Sequence, residues 1–435
     1  MTALVALATA VAGARVARAQ DTSATSNRPG VRIGLTYSPG TRPGVAVLPV
    51  AGTNGDSIRA MIERDLDYGD RATIVGAGAA ASAISTTNPS AAPEYALLAK
   101  LGAAAVVRAT LTVSGVHVAL YDVGARRVVL VRDFALPVPA LGGDWRLAVH
   151  AVSDALEEAI TGTRGVAASR IAFVRGGRVY VVDTDGAGVR AITESGLALS
   201  PAWHPNGRAV AYSAFGPRGT EIVVRDLAGG AARTIRATPG GLNITPTFTP
   251  DGSTLVYAHG EEAGTDLVAV PADGGSARRI TVGRGSDNVS PTVSPDGQRV
   301  AFTSGRPGHP EVYITDVDGT NAELLTPYSF GDQSYRSNPD WSPDGRAVAF
   351  QAQMAGRFQV MTISLRDRSV KQLTTDGSNE DPSWASDARH LVFSSTRGGV
   401  RQLFVLDVES GRTRQLTRGD AARLPAWSPS LRRAP

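Results

Sequence analysis

A short phrase recurs down the second half of the chain. It reads PAWHPNGR from Pro201, PTFTPDGS from Pro246, PTVSPDGQ from Pro291, PDWSPDGR from Pro339, PSWASDAR from Pro382 and PAWSPSLR from Pro425. Successive anchor prolines lie 45, 45, 48, 43 and 43 residues apart. Self-similarity at this period marks a radial array of small sheets, a β-propeller, and moves the question of function to the loops on its faces.

Each repeat has one internal order. An inner strand ends in the phrase, and the chain turns at Asn206-Gly207, Asp251-Gly252, Asp296-Gly297 or Asp344-Gly345. Glycine accepts the positive φ of a tight hairpin, and Asn or Asp is expected to tolerate it one position earlier. Second strands (AVAYS, LVYAH, VAFTS, VAFQA, LVFSS) and third strands (EIVVRD, DLVAVP, EVYITD, QVMTIS, QLFVLD) follow, then a fourth of the type ARRIT or TRQLT. Four strands make one blade. A second-plus-third-strand unit, IAFVRGGRVYVVD from Ile171, has no phrase before it, and the last phrase at Pro425 has no second strand after it. Joined, the two halves make a sixth blade and close the ring, which removes the open edges of a linear array. The fifth repeat carries Ser386-Asp387-Ala388 in place of Pro-Asp-Gly, a tolerated turn variant.

Ahead of the propeller the rhythm changes. VRIGLTY (Val31–Tyr37), GVAVLPV (Gly44–Val50) and RATIV from Arg71 read as strands. Ser57–Tyr68 and Pro93–Leu101 read as helices, and AAVVRATLT, VHVALYDV and VVLVRDF as a three-strand run. Asp144–Thr161 is an amphipathic helix stopped by Gly162. Strands with helices packed on them make a small α/β domain over residues 31–163, ahead of a six-bladed propeller over 164–435. The Ala/Ser/Thr-rich stretch Gly76–Ala92 is expected to be mobile, and the short linker Gly162–Ser169 favours docked domains. Residues 1–19 read as a secretory leader: Thr2–Ala14 is uncharged and apolar, and Ala17-Arg18-Ala19 forms an A-x-A cleavage site. A polar tail, Gln20–Gly30, follows. No later apolar run reaches about 18 residues, so no transmembrane segment is expected in the mature chain.

Composition and motifs weigh against several classes of function. The chain holds 44 Lys and Arg against 40 Asp and Glu, with no run of basic residues interleaved with aromatics, so nucleic-acid binding is not expected. It has no cysteine, which excludes a disulfide framework, a thiolate metal site and a thiol nucleophile. The six histidines show no metal-ligand spacing, and there is no G-x-S-x-G elbow or Walker loop. The Asp-x-Asp-Gly strings at Asp183 and Asp316 fall at outer hairpin turns and lack the other ligands of a calcium loop. His204, in place of the phrase's Ser, reads as packing. No catalytic residue, metal site or cofactor is expected.

Loops joining the outer strand of one blade to the inner strand of the next open on one face, around the central channel. They are expected at 196–200, 240–245, 283–290, 331–338, 376–381 and 418–424, with Tyr328, Phe330 and Tyr335 as aromatic anchors. From them the candidate partner-contacting residues are Leu242, Asn243, Asp287, Asn288, Tyr335, Arg336, Ser378, Asn379 and Glu380.

From about Val31 to Leu431 the chain resembles the TolB family of the bacterial Tol–Pal cell-envelope system. The most specific stretch is RLAVHAVSDALEEAITGTRGVAASRIAFV (Arg146–Val174), and the terminal PAWSP also matches. The resemblance implies a monomeric periplasmic binding protein. It would take Pal, the peptidoglycan-associated lipoprotein, on one propeller face and TolA through the first residues of the mature chain. The system serves outer-membrane constriction in cell division, envelope integrity and protein import. The TolA-engaging segment would be Val31, Arg32, Ile33, Gly34, Leu35 and Thr36, or the tail before them. The loop that the family offers to Pal with a histidine reads Gly241-Leu242-Asn243-Ile244 here. Two other readings stand beside this one: a periplasmic propeller for a small ligand, and a peptidase-associated propeller. The latter needs a Ser-His-Asp set beyond the last blade, and six residues follow Pro429.

Overall fold

The computed structural model describes residues 35, 41–76, 92–194, 196–217, 219–235, 241–283, 286–327 and 334–431. The leader, the polar tail, the strand expected at Val31–Tyr37 apart from Leu35, the stretch 77–91, Tyr328 and Phe330 lie outside the described residues.

The α/β part is a five-stranded sheet with helices on it. In chain order come β1 (Gly44–Val47), α1 (Gly55–Tyr68), β2 (Thr73–Ile74), α2 (Tyr95–Lys100), β3 (Ala105–Leu111), β4 (Gly115–Asp122), β5 (Arg127–Ala135) and α3 (Gly143–Thr161). Strand order is β2-β1-β3-β4-β5, with β1 parallel to both neighbours and β3, β4 and β5 antiparallel. Ile58, Met61, Ile62 and Leu66 recur at helical spacing on α1 and bury against Val45, Val47, Val107 and Val118 of the sheet and Val149, Val152 and Leu156 of α3. Gly162 closes α3 at φ 78°, its N–H donating to the Glu158 carbonyl at 2.8 Å.

Six four-stranded sheets follow, and the sixth joins the terminal strand Ala422–Trp427 to Arg170–Arg175, as the repeat count requires. The Ser428 N–H donates to the Arg170 carbonyl at 2.8 Å, and the Arg170 N–H to Ser428 Oγ at 2.9 Å. The aromatic that five of the six phrases carry is a wedge between blades. Trp341 packs with Ala301, Val312 and Ile314 of the third blade and Val348 and Phe350 of the fourth; Trp384 sits likewise between the fourth and fifth. Trp203, Phe248 and Trp427 are buried in the same way.

Two local expectations are corrected. At the four glycine-bearing phrase turns only the glycine is left-handed, with φ of 70° at Gly207, 74° at Gly252, 73° at Gly297 and 74° at Gly345, whereas the Asn or Asp before it is not; in the fifth turn Ala388 takes that place at φ 54°. That residue serves as an acceptor instead: Asp296 Oδ1 takes the Ser294 hydroxyl at 2.5 Å and the Gln298 N–H at 3.0 Å, and Asp344 repeats the pattern with Ser342 and Arg346. The S-P-D-G string is thus a side-chain-braced turn.

The second correction concerns the face. The end of every expected loop is already strand: Leu197, Leu242, Asn288, Arg336, Asn379 and Ala422 each begin the innermost strand of a blade. The residue before each anchor proline explains the difference. Ser200, Thr245, Ser290, Asn338, Asp381 and Leu424 all sit at φ between 51° and 56°. Five of them mark a register shift in the pairing of their own strand, and the first blade shifts opposite Ser200. A bulge here lets the inner strand pair on both sides of the phrase instead of starting at it.

Candidate binding face and central channel

Because strands alternate in direction, one face carries the starts of the inner strands and the hairpins between second and third strands. The opposite face carries the phrase turns and outer hairpins, and there the α/β part docks. Arg71 pairs with Glu157 at 2.8 Å and with Asp387 at 3.2 Å, Arg64 pairs with Asp185 at 2.5 Å, and Arg412 holds Asp67 at 2.7 Å. Asp70 accepts from Arg412 at 3.3 Å and from the Ser410 hydroxyl, while the Asp70 carbonyl accepts from Arg389 at 3.2 Å. Half-buried Arg414 lies over the Tyr68 ring at 4.1 Å, and desolvation pulls its guanidinium down to about 10. None of these contacts reaches the inner-strand face.

On that face the candidate residues divide by burial. Leu242 and Tyr335 are each 39% exposed, and Asp287 is exposed. Tyr335 stands edge-on to Phe358, with ring centroids 5.3 Å apart. Ser378 is half-buried and donates to Glu380 at 3.0 Å, and Glu380 in turn takes Arg401 at 2.8 Å. Arg336 donates to both oxygens of buried Glu311 at 3.1 Å. Asn243, Asn288 and Asn379 are buried clasps between blades. The Asn243 side chain donates to the Thr220 carbonyl at 2.8 Å and meets His259 Nδ1 at 2.8 Å. Asn288 donates to Thr265 and Asp266 and accepts from Ser304; Asn379 donates to Gln359 and accepts from Arg397. These asparagines fix the rim on which the exposed residues stand. Behind them runs a second clasp invisible to motif reading. The threonines two residues past the outer strands, such as Thr326, Thr374 and Thr417, donate to Glu311, Gln359 and Gln402 and accept the N–H of the residue after each of these.

The left-handed residues line a channel of about 420 Å³ at the centre of the ring. They form a belt from blade to blade. The Ser290 N–H donates to Thr245 Oγ1 at 3.1 Å, the Ser290 hydroxyl to Asn338 Oδ1 at 3.0 Å, and Asn338 Nδ2 to Asp381 Oδ1 at 2.7 Å. One step along, Thr292, Asp340 and Ser383 accept the N–H of Trp341, Trp384 and Trp427 in the neighbouring blade. Burial pushes the Asp340 carboxyl up to about 7 against the Trp384 N–H, and raises Asp381, with Glu380 adding to it. The sequence signal was available in the polar residue before five of six anchor prolines, but nothing marked it as left-handed.

His150, Asp183 and Asp185 place ligand-capable atoms within 4.8 Å of one another. Arg64 and Arg146 already pair with Asp185, and Arg146 and Arg170 with Asp183, so both carboxylates are neutralised by guanidinium. The cluster is an ion-pair network between α3 and the propeller.

The fold defines a six-bladed propeller protein, with loops and strand ends ringing a channel on one side and an α/β part fastened to the other. The model of the TolB beta propeller domain matches residues 157–431, and the chain belongs to that family. Among curated relatives it is 34% identical to the Tol-Pal system protein TolB of Polaromonas sp. strain JS666 over 151 residues, 33% of this chain and 35% of the relative. It is 31% identical to that of Polaromonas naphthalenivorans over 213 residues, 47% of each chain. These matches span between a third and a half of the relatives' length. The crystal structure of TolB from Acinetobacter baumannii superposes with a TM-score of 0.75 at 26% identity, covering 91% of this chain and 98% of that one.

Proposed function

We propose that this chain is a non-enzymatic periplasmic scaffold of the Tol–Pal system. It takes Pal on the inner-strand face of the propeller and TolA through the amino-terminal segment Val31–Thr36, supporting outer-membrane constriction and envelope integrity. The observation that carries the reading is the division of the two faces. One is covered by the α/β part through an ionic interface; the other is free of it and presents Leu242, Asp287 and Tyr335 on a rim held rigid by buried asparagines. A rigid rim with few apolar anchors suits a protein partner, since little side-chain entropy is lost on docking.

Leu35 of the amino-terminal segment is half-buried against the α/β core. A segment that either packs there or engages TolA supplies two states, and any coupling of TolA to Pal through them must be reciprocal. Deleting residues 20–36 should therefore change Pal affinity; an unchanged affinity removes the coupling.

The test of the scaffold reading is calorimetric titration of residues 20–435 with the periplasmic domain of the same organism's Pal. Saturable one-to-one binding, weakened at least tenfold by Tyr335→Ala or Leu242→Asp, is expected. No binding at low salt overturns it.

A further inference from the structure

On the inner-strand face, between the fourth and fifth blades, lies a hollow of about 430 Å³ lined by Arg357, Thr375, Asp376, Gly377, Ser378, Thr396 and Arg397. Its two arginines differ from the others nearby. Arg336 and Arg401 spend their charge on Glu311 and Glu380. Arg397 instead is held by neutral groups: its guanidinium stacks over the Phe393 and Phe404 rings at 5.3 and 4.8 Å, Nε donates to Ser395 Oγ at 3.1 Å, and a terminal nitrogen donates to Asn379 Oδ1 at 3.3 Å. No carboxylate of the described residues lies within ion-pair distance of Arg397 or Arg357. Arg397 is half-buried, and that desolvation lowers its pKa, with only Asp376 opposing. A cation placed at this cost, locked by two rings, and with no carboxylate in direct ion-pair contact at the wall of a hollow is organised to receive one.

We propose that this hollow is a carboxylate-binding pocket which receives an acidic side chain of the protein partner docking on the inner-strand face. The proposal rests on the scaffold reading above. Two guanidinium groups against one exposed carboxylate, Asp376, leave a single net positive charge. That balance matches a monoanionic carboxylate, and the rim carboxylate repels a dianion such as phosphate. The left-handed Gly377, at φ 76°, lets its backbone approach the Arg397 backbone, where a Cβ would lie 2.7 Å from the Arg397 nitrogen. The hydroxyl of Thr396 takes the Ser378 N–H at 3.0 Å, which fixes the loop on the other wall. The pocket is therefore formed before any ligand arrives, and little ordering cost falls on the partner.

The test has two arms on the full mature chain. In the first, the periplasmic domain of Pal is titrated into the parent and three variants. Arg397→Gln should weaken binding about tenfold and exposed Arg357→Gln about threefold, while Asp376→Asn should tighten it about twofold by removing the competing charge. The opposite sign at Asp376 separates a charge effect from a structural one. Unchanged affinity in all three variants, with the parent binding, overturns the pocket and leaves the scaffold reading intact. In the second arm, arginine-labelled protein is observed by NMR while N-acetyl-glutamate amide, or N-acetyl-glutamine amide as the uncharged control, is added. The Arg397 Nε signal should move with the first and stay with the second. No movement overturns the pocket, whatever Pal does. A parent that fails to bind Pal yet shows the movement retires the scaffold reading and keeps the pocket.

Discussion

Ser200 stands in a backbone region that an L side chain occupies at a cost of about 1–2 kcal/mol, yet its five counterparts around the channel accept the same cost. For most of them a hydrogen bond offsets it: Asn338 and Ser290 belong to the belt, and Asp381 anchors it. Ser200 joins none of these bonds, so it reports the backbone term alone. Ser200→Gly should leave stability equal or raised by up to about 1 kcal/mol, and Ser200→Val should lower it by about 1–3 kcal/mol, read from urea midpoints. Equal midpoints for Gly and Val would refute the left-handed assignment. Asp340 makes a second residue-scale prediction. Its folded pKa lies near 7, well above its ordinary 3.8, so the folded state holds a proton that the unfolded state has released between those values. The carboxyl therefore costs stability progressively as pH rises from about 4 to about 7. Asp340→Asn, which keeps an oxygen for the Trp384 N–H, should gain about 1–2 kcal/mol over the parent at pH 8 and little at pH 4.5. A gain that is the same at both pH values would show that Asp340 is not buried as a charge. The sequence announced the prolines and turn glycines around these positions because those residue types carry backbone information. It was silent on the left-handed residues because Ser, Thr, Asn, Asp and Leu share no such mark.

At the scale of elements, the repeat phrase works because its aromatic belongs to two blades at once. Trp341 is 5% exposed and touches side chains of both the third and fourth sheets. Trp341→Ala should cost about 3–5 kcal/mol in a single cooperative transition, since the cavity opens between blades and not within one. The third blade tests the same point from the other side, because half-buried Val293 stands where the other phrases have an aromatic. Val293→Ala should cost less than about 2 kcal/mol, and calorimetry on the pair would show whether blade junctions contribute in proportion to the wedge. Equal costs would show that the wedge is incidental. Blade number and closure were legible from this periodicity alone. The role of α3 was legible only on its apolar side. The sequence shows Val149, Val152 and Leu156 at helical spacing, but not that His150, Ser153, Asp154 and Glu157 on the other side are buried too. Asp154 accepts the Ala167 and Ala168 N–H groups at 2.7 and 3.1 Å, tying the linker back onto the helix. Reading polar residues as a solvated face fails wherever a second layer covers them.

For the whole molecule the question is what holds the α/β part to the propeller, and the answer is mostly charge. Burial pulls the His150 imidazolium down, but Asp65, 2.7 Å from Nδ1, together with Asp185 and Asp183, outweighs it and the pKa ends above 6.5. Burial pushes Asp387 and Asp185 up, but His390 and Arg71 around the first, and His150, the Ala187 N–H, Arg64 and Arg146 around the second, bring both below 3.8. The signs then fix a window. Stability from the raised histidine is complete below about pH 6.5 and is lost as pH rises through its folded value; stability from the two depressed carboxylates is present above about pH 4 and is lost as pH falls through theirs. Docking should therefore be firmest between those limits and loosen on the alkaline side as His150 gives up the proton that attracts Asp65 and Asp185. His150→Gln keeps a polar group of similar reach and removes the titration. The stability gap between parent and variant should be largest near pH 5.5 and shrink by pH 8.5, while an Asp387→Asn variant should lose stability at every pH in that range. Urea midpoints across pH, with linker cleavage by a protease as a readout of undocking, would decide it. A gap for His150→Gln that does not change with pH would mean that the imidazole is neutral in the folded protein and that the interface is held by the arginine pairs alone.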